Sequence, residues 1–375
     1  MLQRTLAIET SCDDTSVGIV SFDWQHFVVE KLVAFSQIAL HQQYGGVVPE
    51  LAYRSHADKI VRLVEELGGT EIQKSIDFIS VTAYPGLPGA LVVGVTAAHT
   101  LWASRWIPVI EVNHIMGHVF SVLVERSLAA LQFPYLCLTV SGGHNDLYLV
   151  ELRATTKEQW AKKLTSKHEQ WIQDSEKTIS WRHKRMHLAV GESLEVGIYT
   201  VTKLWQTVDD AAGEVFDKVA RMLGGPYPGG AWIGQMADTA RAKDPTLFGT
   251  KFIDDVYTMS FSGIKSQVHT YIEKHHSGQM TQEQKAEIAR SFQDAVIKTL
   301  CRTLKRAINT IVPASVGIVG GVSANKRLQM QSMEMIAASA PDKNVLLFPE
   351  KLVYCTDNAA MIGVVWHLMT HRNDW

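Results

Sequence analysis

Short apolar runs cut off by small polar residues alternate along this chain with longer stretches in which apolar residues recur every third or fourth position. The short runs predict strands over residues 6–9, 17–22, 28–35, 78–82, 109–112, 136–140, 147–150, 316–319 and 345–348. The longer periodic stretches predict helices over 50–67, 90–106, 114–126, 215–223, 232–241, 264–274, 282–311 and 326–338, with a last helix opening near 356–360. Strands alternating with helices give an α/β fold. One pattern occurs twice. A strand, a polar turn and a second strand appear at 6–22 around Thr10-Ser11-Cys12-Asp13-Asp14-Thr15-Ser16, and again at 136–150 around Ser141-Gly142-Gly143-His144-Asn145-Asp146. Each copy opens one half of the chain, which suggests an internal duplication. Residues 153–208 break the rhythm, and within them the basic stretch 155–187 reads as a helical insertion rather than core.

Composition narrows the class. With 375 residues the chain is long enough for two domains, and its net charge of −2 gives no global field toward nucleic acid or membranes. Any RNA contact must therefore come from a local patch. The insertion holds one: Lys157, Lys162, Lys163, Lys167, Lys177, Arg182, Lys184 and Arg185 interleave with Trp160, Trp171 and Trp181. Basic residues with aromatics can bind a phosphate backbone and stack bases; a solvated helix with inward tryptophans has the same pattern. The four cysteines, Cys12, Cys137, Cys301 and Cys355, form no C-x-x-C pair and fit free thiols. No apolar run reaches the roughly 18 residues of a membrane helix. The chain starts almost directly with a strand, so no signal or transit segment is expected in it.

The chemistry concentrates in residues 111–144. Behind the expected N-cap Asn113, His114 and His118 stand four apart on one helical face, where two imidazoles can reach one divalent cation. A packed or surface histidine pair has the same spacing. The H-E-x-x-H of metalloproteases differs at its key position, because Ile115 stands where the general base would be. Asp357, before the last helix, is either a favourable charge near a helix N-terminus or a third metal ligand that leaves one coordination position open. The glycines of Ser141-Gly142-Gly143 either supply a positive φ for a hairpin or let a ligand approach the backbone. The pair Gly320-Gly321 between a strand and a helix is similarly compatible with a nucleotide.

Taken together, the strings ETSCDDTS, NHIMGH, SGGH, DDAAGEVFDK, YPGG, GGVSANKRL and CTDNAAM resemble the TsaD family of tRNA N6-adenosine threonylcarbamoyltransferases, once described as O-sialoglycoprotein endopeptidases. The resemblance covers nearly the whole chain except 153–208. It implies the duplicated two-domain fold of actin, heat-shock chaperones and sugar kinases, with the active site in the cleft between domains. Residues 1–130 plus 356–375 would form the N-terminal subdomain, and 131–355 the C-terminal one carrying the basic insertion. The implied reaction moves threonylcarbamoyl from threonylcarbamoyl-AMP, made by a separate synthase, to N6 of the adenosine 3′ of the anticodon in tRNAs reading A-starting codons, and releases AMP. By motif position His114, His118 and Asp357 would hold one divalent metal ion, zinc or iron, per subunit. Thr139, Val140, Ser141, Gly142 and Gly143 would line the adenylate site, with Asp217, Gly230 and Asn325 around its nucleoside. A tyrosine ligand of the archaeal and eukaryotic cytosolic branch is replaced here by Thr139. Asp13 is the candidate acceptor for the amine proton. The mitochondrial branch is the nearest in appearance, which implies a homodimer in the mitochondrial matrix without accessory subunits.

Two rival readings remain at this level. A metalloendopeptidase would share the histidine pair but lacks a signposted base. A chaperone-like nucleotide switch would use the phosphate turns and leave the metal residues idle. A fold alone does not choose among them.

Overall fold

In the computed structural model the described residues are 2–69, 75–153, 188–241, 247–249, 258–276, 278–339 and 345–370. They build two α/β domains on two sheets. The first sheet has the order β3-β2-β1-β4-β5, with β1 Gln3–Glu9, β2 Asp14–Phe22, β3 Phe27–Ser36, β4 Phe78–Tyr84 and β5 Val109–Asn113. The second has the order β10-β9-β7-β6-β11-β12, with β6 Tyr135–Val140, β7 Asn145–Leu152, β9 Tyr199–Thr207, β10 Thr258–Met259, β11 Ser315–Val319 and β12 Val345–Leu347. A short β8, Ser193–Val196, pairs with β9.

The repeat expected from the two turns is present in the pairing itself. β1 runs antiparallel to β2 and parallel to β4, and β2 runs antiparallel to β3. In the second sheet β6 runs antiparallel to β7 and parallel to β11, and β7 runs antiparallel to β9. The central strands are buried on both faces, so they read as near-continuous apolar runs. Along β1, Leu6 and Ile8 pack under the helices Pro49–Leu67 and Pro88–Arg105, while Ala7 faces the other side. Along β6, Leu136 and Leu138 meet the long helix Gln282–Ile311, and Tyr135 and Cys137 face the first domain.

Between the sheets lies a shared core built on two helices, His114–Phe120 and Ala359–Thr370. The last helix is buried from Ala359 to Leu368. Its start is fixed by Asn358, whose Oδ1 accepts the Met361 amide at 3.0 Å, and by Ser16 Oγ on β2, which accepts the Ala359 amide at 3.0 Å. Each fully buried large apolar side chain there contributes about 1.5–3 kcal/mol. The C-terminal segment is thus packed onto the sheet formed by the chain's first third.

Two expectations need correction. The helix predicted over 114–126 ends at Phe120 and tightens into a 3₁₀ turn, Ser121–Leu123; Glu125 then takes a left-handed φ of 60° that no helix can continue. Residues 193–196 and 199–207, placed in the insertion at 153–208, are strands of the second sheet. β9 alternates buried and half-buried positions, Tyr199, Val201, Lys203 and Trp205 being inside. Lys203 hid this alternation: its charge is buried against Asp146 at 3.1 Å, and Tyr148 donates to the same carboxylate at 2.9 Å. Removing one partner of such a pair costs about 3–5 kcal/mol. The basic stretch with Lys162, Lys163, Arg182 and Lys184 lies outside the described residues.

Candidate active site in the interdomain cleft

Asn113 begins the histidine helix as the sequence suggests, its Oδ1 accepting the Ile115 and Met116 amides at 2.8 and 3.2 Å. The helix is buried throughout, which aims both histidines along one face toward the start of the last helix. There Asp357 Oδ1 lies 3.1 Å from His118 Nε2 and 3.5 Å from His114 Nε2. Among the described residues, His114, His118 and Asp357 form a group whose potential ligand atoms lie within 4.8 Å of one another.

The far side of His114 is held by a residue the sequence reading placed only at a strand end. Glu9 is fully buried, and its Oε2 sits 3.0 Å from His114 Nδ1. Thr82 Oγ1 donates to Glu9 Oε2 and the Ser11 amide to Glu9 Oε1, each at 2.5 Å. A carboxylate behind an imidazole fixes the ring and leaves Nε2 facing the ligand side. The available signal was an acid closing an apolar strand. Burial alone would lower the His114 pKa, but Asp357 and Glu9 raise it to about 9. Burial would raise both carboxyls; His114 outweighs it in lowering Glu9, and His114, His118 and His144 together lower Asp357.

These residues fit a divalent transition ion. Two imidazoles and one carboxylate converge, His118 Nδ1 is buried without a partner, and a second carboxylate braces His114. Asp13 is placed at the end of the first turn, half-buried, with its pKa raised by burial and by Asp357.

The second turn faces this cluster through His144, whose charge is felt at Asp357. Ser141 Oγ accepts the His144 amide at 3.0 Å and the Gly143 amide at 3.3 Å, which sets the turn. Gly142 and Gly143 do not adopt positive φ, and a Cβ on either would meet nothing within 4 Å. Neither backbone strain nor crowding within the chain requires glycine there, which leaves the turn's backbone open to an approaching group. Gly213 is different. Its Cβ would fall 2.7 Å from the Ser141 carbonyl, whose oxygen accepts the Gly213 amide at 3.1 Å, so glycine lets the helix Ala212–Met222 brace the turn.

The remaining predicted positions divide. Thr139 and Val140 are buried in β6, with the Thr139 hydroxyl bonded to the Asp146 carbonyl at 3.2 Å. Asp217 Oδ1 accepts the Gly229 amide at 2.6 Å, which fixes the start of helix Gly230–Asp238; a Cβ at Gly230 would meet open space. Asn325 caps the helix Lys326–Ser339, accepting the Arg327 and Leu328 amides at 3.0 and 3.1 Å, and gives one Nδ2 proton to Gln293 at 2.8 Å.

The profile of the family TsaD: tRNA N6-adenosine threonylcarbamoyltransferase matches residues 29–185 and 191–364. The chain belongs to the TsaD family. The match includes much of 153–208, the segment where no resemblance was expected. A tRNA N6-adenosine threonylcarbamoyltransferase of Bdellovibrio bacteriovorus is 36% identical over 388 residues, covering 100% of this chain and 95% of the relative. One from Geobacter sp. (strain M21) is 35% identical over 362 residues, covering 96% and 89%. Among solved structures, full-length HypF in its phosphate- and nucleotide-bound form aligns with a TM-score of 0.53 at 12% identity, covering 100% of this chain and 47% of HypF. That likeness shows the duplicated fold alone. For this TsaD-family chain, the fold is the actin, heat-shock chaperone and sugar-kinase type.

Proposed function

We propose that this chain transfers the threonylcarbamoyl group of threonylcarbamoyl-AMP to N6 of the adenosine 3′ of the anticodon and releases AMP. The observation that carries the reading is the family match running through both halves of the cleft, the histidine–aspartate group on one side and the glycine turn on the other. The N6 amine is a weak nucleophile because its lone pair is delocalised into the ring, whereas the adenylate is a mixed anhydride with a good leaving group. The protein's part is therefore positioning and charge stabilisation.

His114, His118 and Asp357 would hold one zinc or iron ion, which when bound polarises the carbonyl of the threonylcarbamoyl group. The backbone of Ser141, Gly142 and Gly143 receives the phosphate, and Asp217, Gly230 and Asn325 surround its nucleoside. Of these, Asn325 has one Nδ2 proton beyond the bond to Gln293, and the Thr139 side chain is committed to the sheet. As the N6–carbon bond forms, the bond from that carbon to the phosphate oxygen breaks and AMP departs. One N6 proton passes to Asp13, whose burial-raised pKa suits an acceptor.

The chain would work as a homodimer in the mitochondrial matrix, with a separate synthase supplying the adenylate. Support for that branch is the long basic, tryptophan-bearing sequence before β8, a source of RNA contacts within the chain itself. Among the described residues no helix is long and apolar enough to cross a membrane. The test is reconstitution: the chain alone, unmodified tRNA and a synthase, with digested tRNA read by mass spectrometry. Threonylcarbamoyladenosine is the expected product. Product only after bacterial-type partners are added would refute independent action. None with or without partners would refute the transferase reading.

A further inference from the structure

The cleft contains a second feature that meets the donor site only at Asp217. A cavity of about 460 Å³ opens between the domains, lined by Gln42, Gln43 and Tyr44 on one side and by Asp217, Arg221 and Tyr227 on the other. That volume lies in the usual range for small-ligand sites, about 300–1,000 Å³, and is ample for one nucleotide. Of the residues assigned above to the donor adenylate, only Asp217 reaches it; the Ser141 turn, Gly230 and Asn325 do not line it. Arg221 crosses the mouth and donates to the Gly45 carbonyl, which closes the wall with one of the guanidinium's five N–H groups.

The chemistry of the wall is graded. Tyr227 is half-buried, and its phenol is raised by burial and by Asp13, Asp217 and Asp14, so its side of the cavity adjoins the acid-rich first turn. Tyr44 is 56% exposed and belongs to no core cluster, leaving a ring face for a partner. Carboxylates repel phosphate and accept hydrogen bonds from an amine. Arg221 attracts phosphate at the rim, and the amides of Gln42 and Gln43 can pair with a base edge. A nucleotide entering with its base inward and its phosphate toward Arg221 satisfies this gradient.

We propose that this cavity receives the acceptor adenosine, unstacked from the anticodon loop, with Tyr44 stacking on the base and Arg221 holding the adjoining phosphate. The assignment rests on the transferase reading above. Chemistry on a base requires that the base leave its stack, and single-stranded loops offer such bases to aromatic side chains. Asp217 borders the cavity while Gly230 does not line it, so one cleft can take the acceptor beside the donor.

The test uses the full chain and an anticodon stem-loop RNA with 2-aminopurine in place of the target adenosine. Wild-type protein and Tyr44→Phe should change the probe's fluorescence on binding. Tyr44→Ala should weaken RNA binding by about tenfold, in line with the loss of one base–aromatic stack. Affinity for AMP, measured by calorimetry, should stay within about twofold in every variant by the same argument. Arg221→Gln should lower the salt dependence of RNA binding by about one phosphate contact. A tenfold loss of AMP affinity with unchanged RNA binding would overturn the proposal and assign the cavity to the donor nucleoside. Unchanged binding of both, or no fluorescence change with wild-type protein, would also overturn it. Because the readout is binding, it decides the cavity even if no threonylcarbamoyladenosine is formed.

Discussion

The two turns that open the two halves, residues 10–13 and 141–144, occupy the same place in matching strand orders, yet present opposite kinds of group. The first works through side chains: Glu9 just before it braces His114, and Asp13 at its end sits near Asp357. The second works through backbone, with two glycines that nothing in the fold crowds. Duplication supplied one scaffold twice. In the proposed function, the first copy uses its charge to organise a cation and an amine, and the second offers bare amides to an anion. Placed across one cleft, the two specialisations suit a transfer between a phosphate-linked donor and an amine acceptor.

The largest expected effect tests the first turn and its partner helices. His114→Ala should remove stoichiometric metal, read by elemental analysis, and reduce transfer on the order of a thousandfold. Glu9→Gln should keep the ligands but lower metal affinity about 10- to 100-fold in a chelator competition. Equal metal affinity in Glu9→Gln and wild type would show that the buried carboxylate only fills space.

The second turn should respond in the reverse sense, function falling while stability holds. Gly142→Ala adds a Cβ where nothing lies within 4 Å and φ is not positive, so the folded state should gain about 0.4–1 kcal/mol in thermal or denaturant unfolding. Affinity for the adenylate should fall, on the order of tenfold, because the added carbon occupies ligand space. A destabilised but fully active variant would show that the glycine serves the hairpin.

At neutral pH the smallest effect, none, lies outside both turns, in the shared core that joins them, and it emerges only in acid. His367 Nε2 faces the Val20 carbonyl at 3.4 Å, and burial lowers its pKa to about 3. A histidine buried neutral leaves stability unchanged above its unfolded value near 6.5. Below that, the unfolded chain takes up the proton first, so stability falls as pH drops from about 6.5 toward 3. His367→Gln removes this titration and should recover on the order of 2 kcal/mol at pH 4–5 in denaturant melts. Parallel acid profiles for variant and wild type would contradict it.

How much of this was legible follows from the range of each signal. The alternation of strands and helices, the repeated strand–turn–strand unit and the histidine pair are periodicities within a few residues, and the sequence by itself determined them. It also set the candidate glycines, though excluding positive φ and crowding as their reason needed backbone angles and neighbouring atoms. β9 escaped because Lys203 breaks its apolar alternation, and only the partner Asp146, 57 positions earlier in the chain, makes that charge tolerable inside. Glu9 escaped because an acid closing a short apolar strand is only a weak local signal; its role appears when β1 and the histidine helix meet, 105 positions apart in the chain. The resemblance named Asp357 by motif, but the physical act of bringing it to His118 across |i−j| = 239 belongs to the last helix burying its apolar faces against the first sheet. Local pattern fixes which elements form; burial of their remaining apolar surface decides which distant polar groups are carried into one cleft, and that is a property of the tertiary structure.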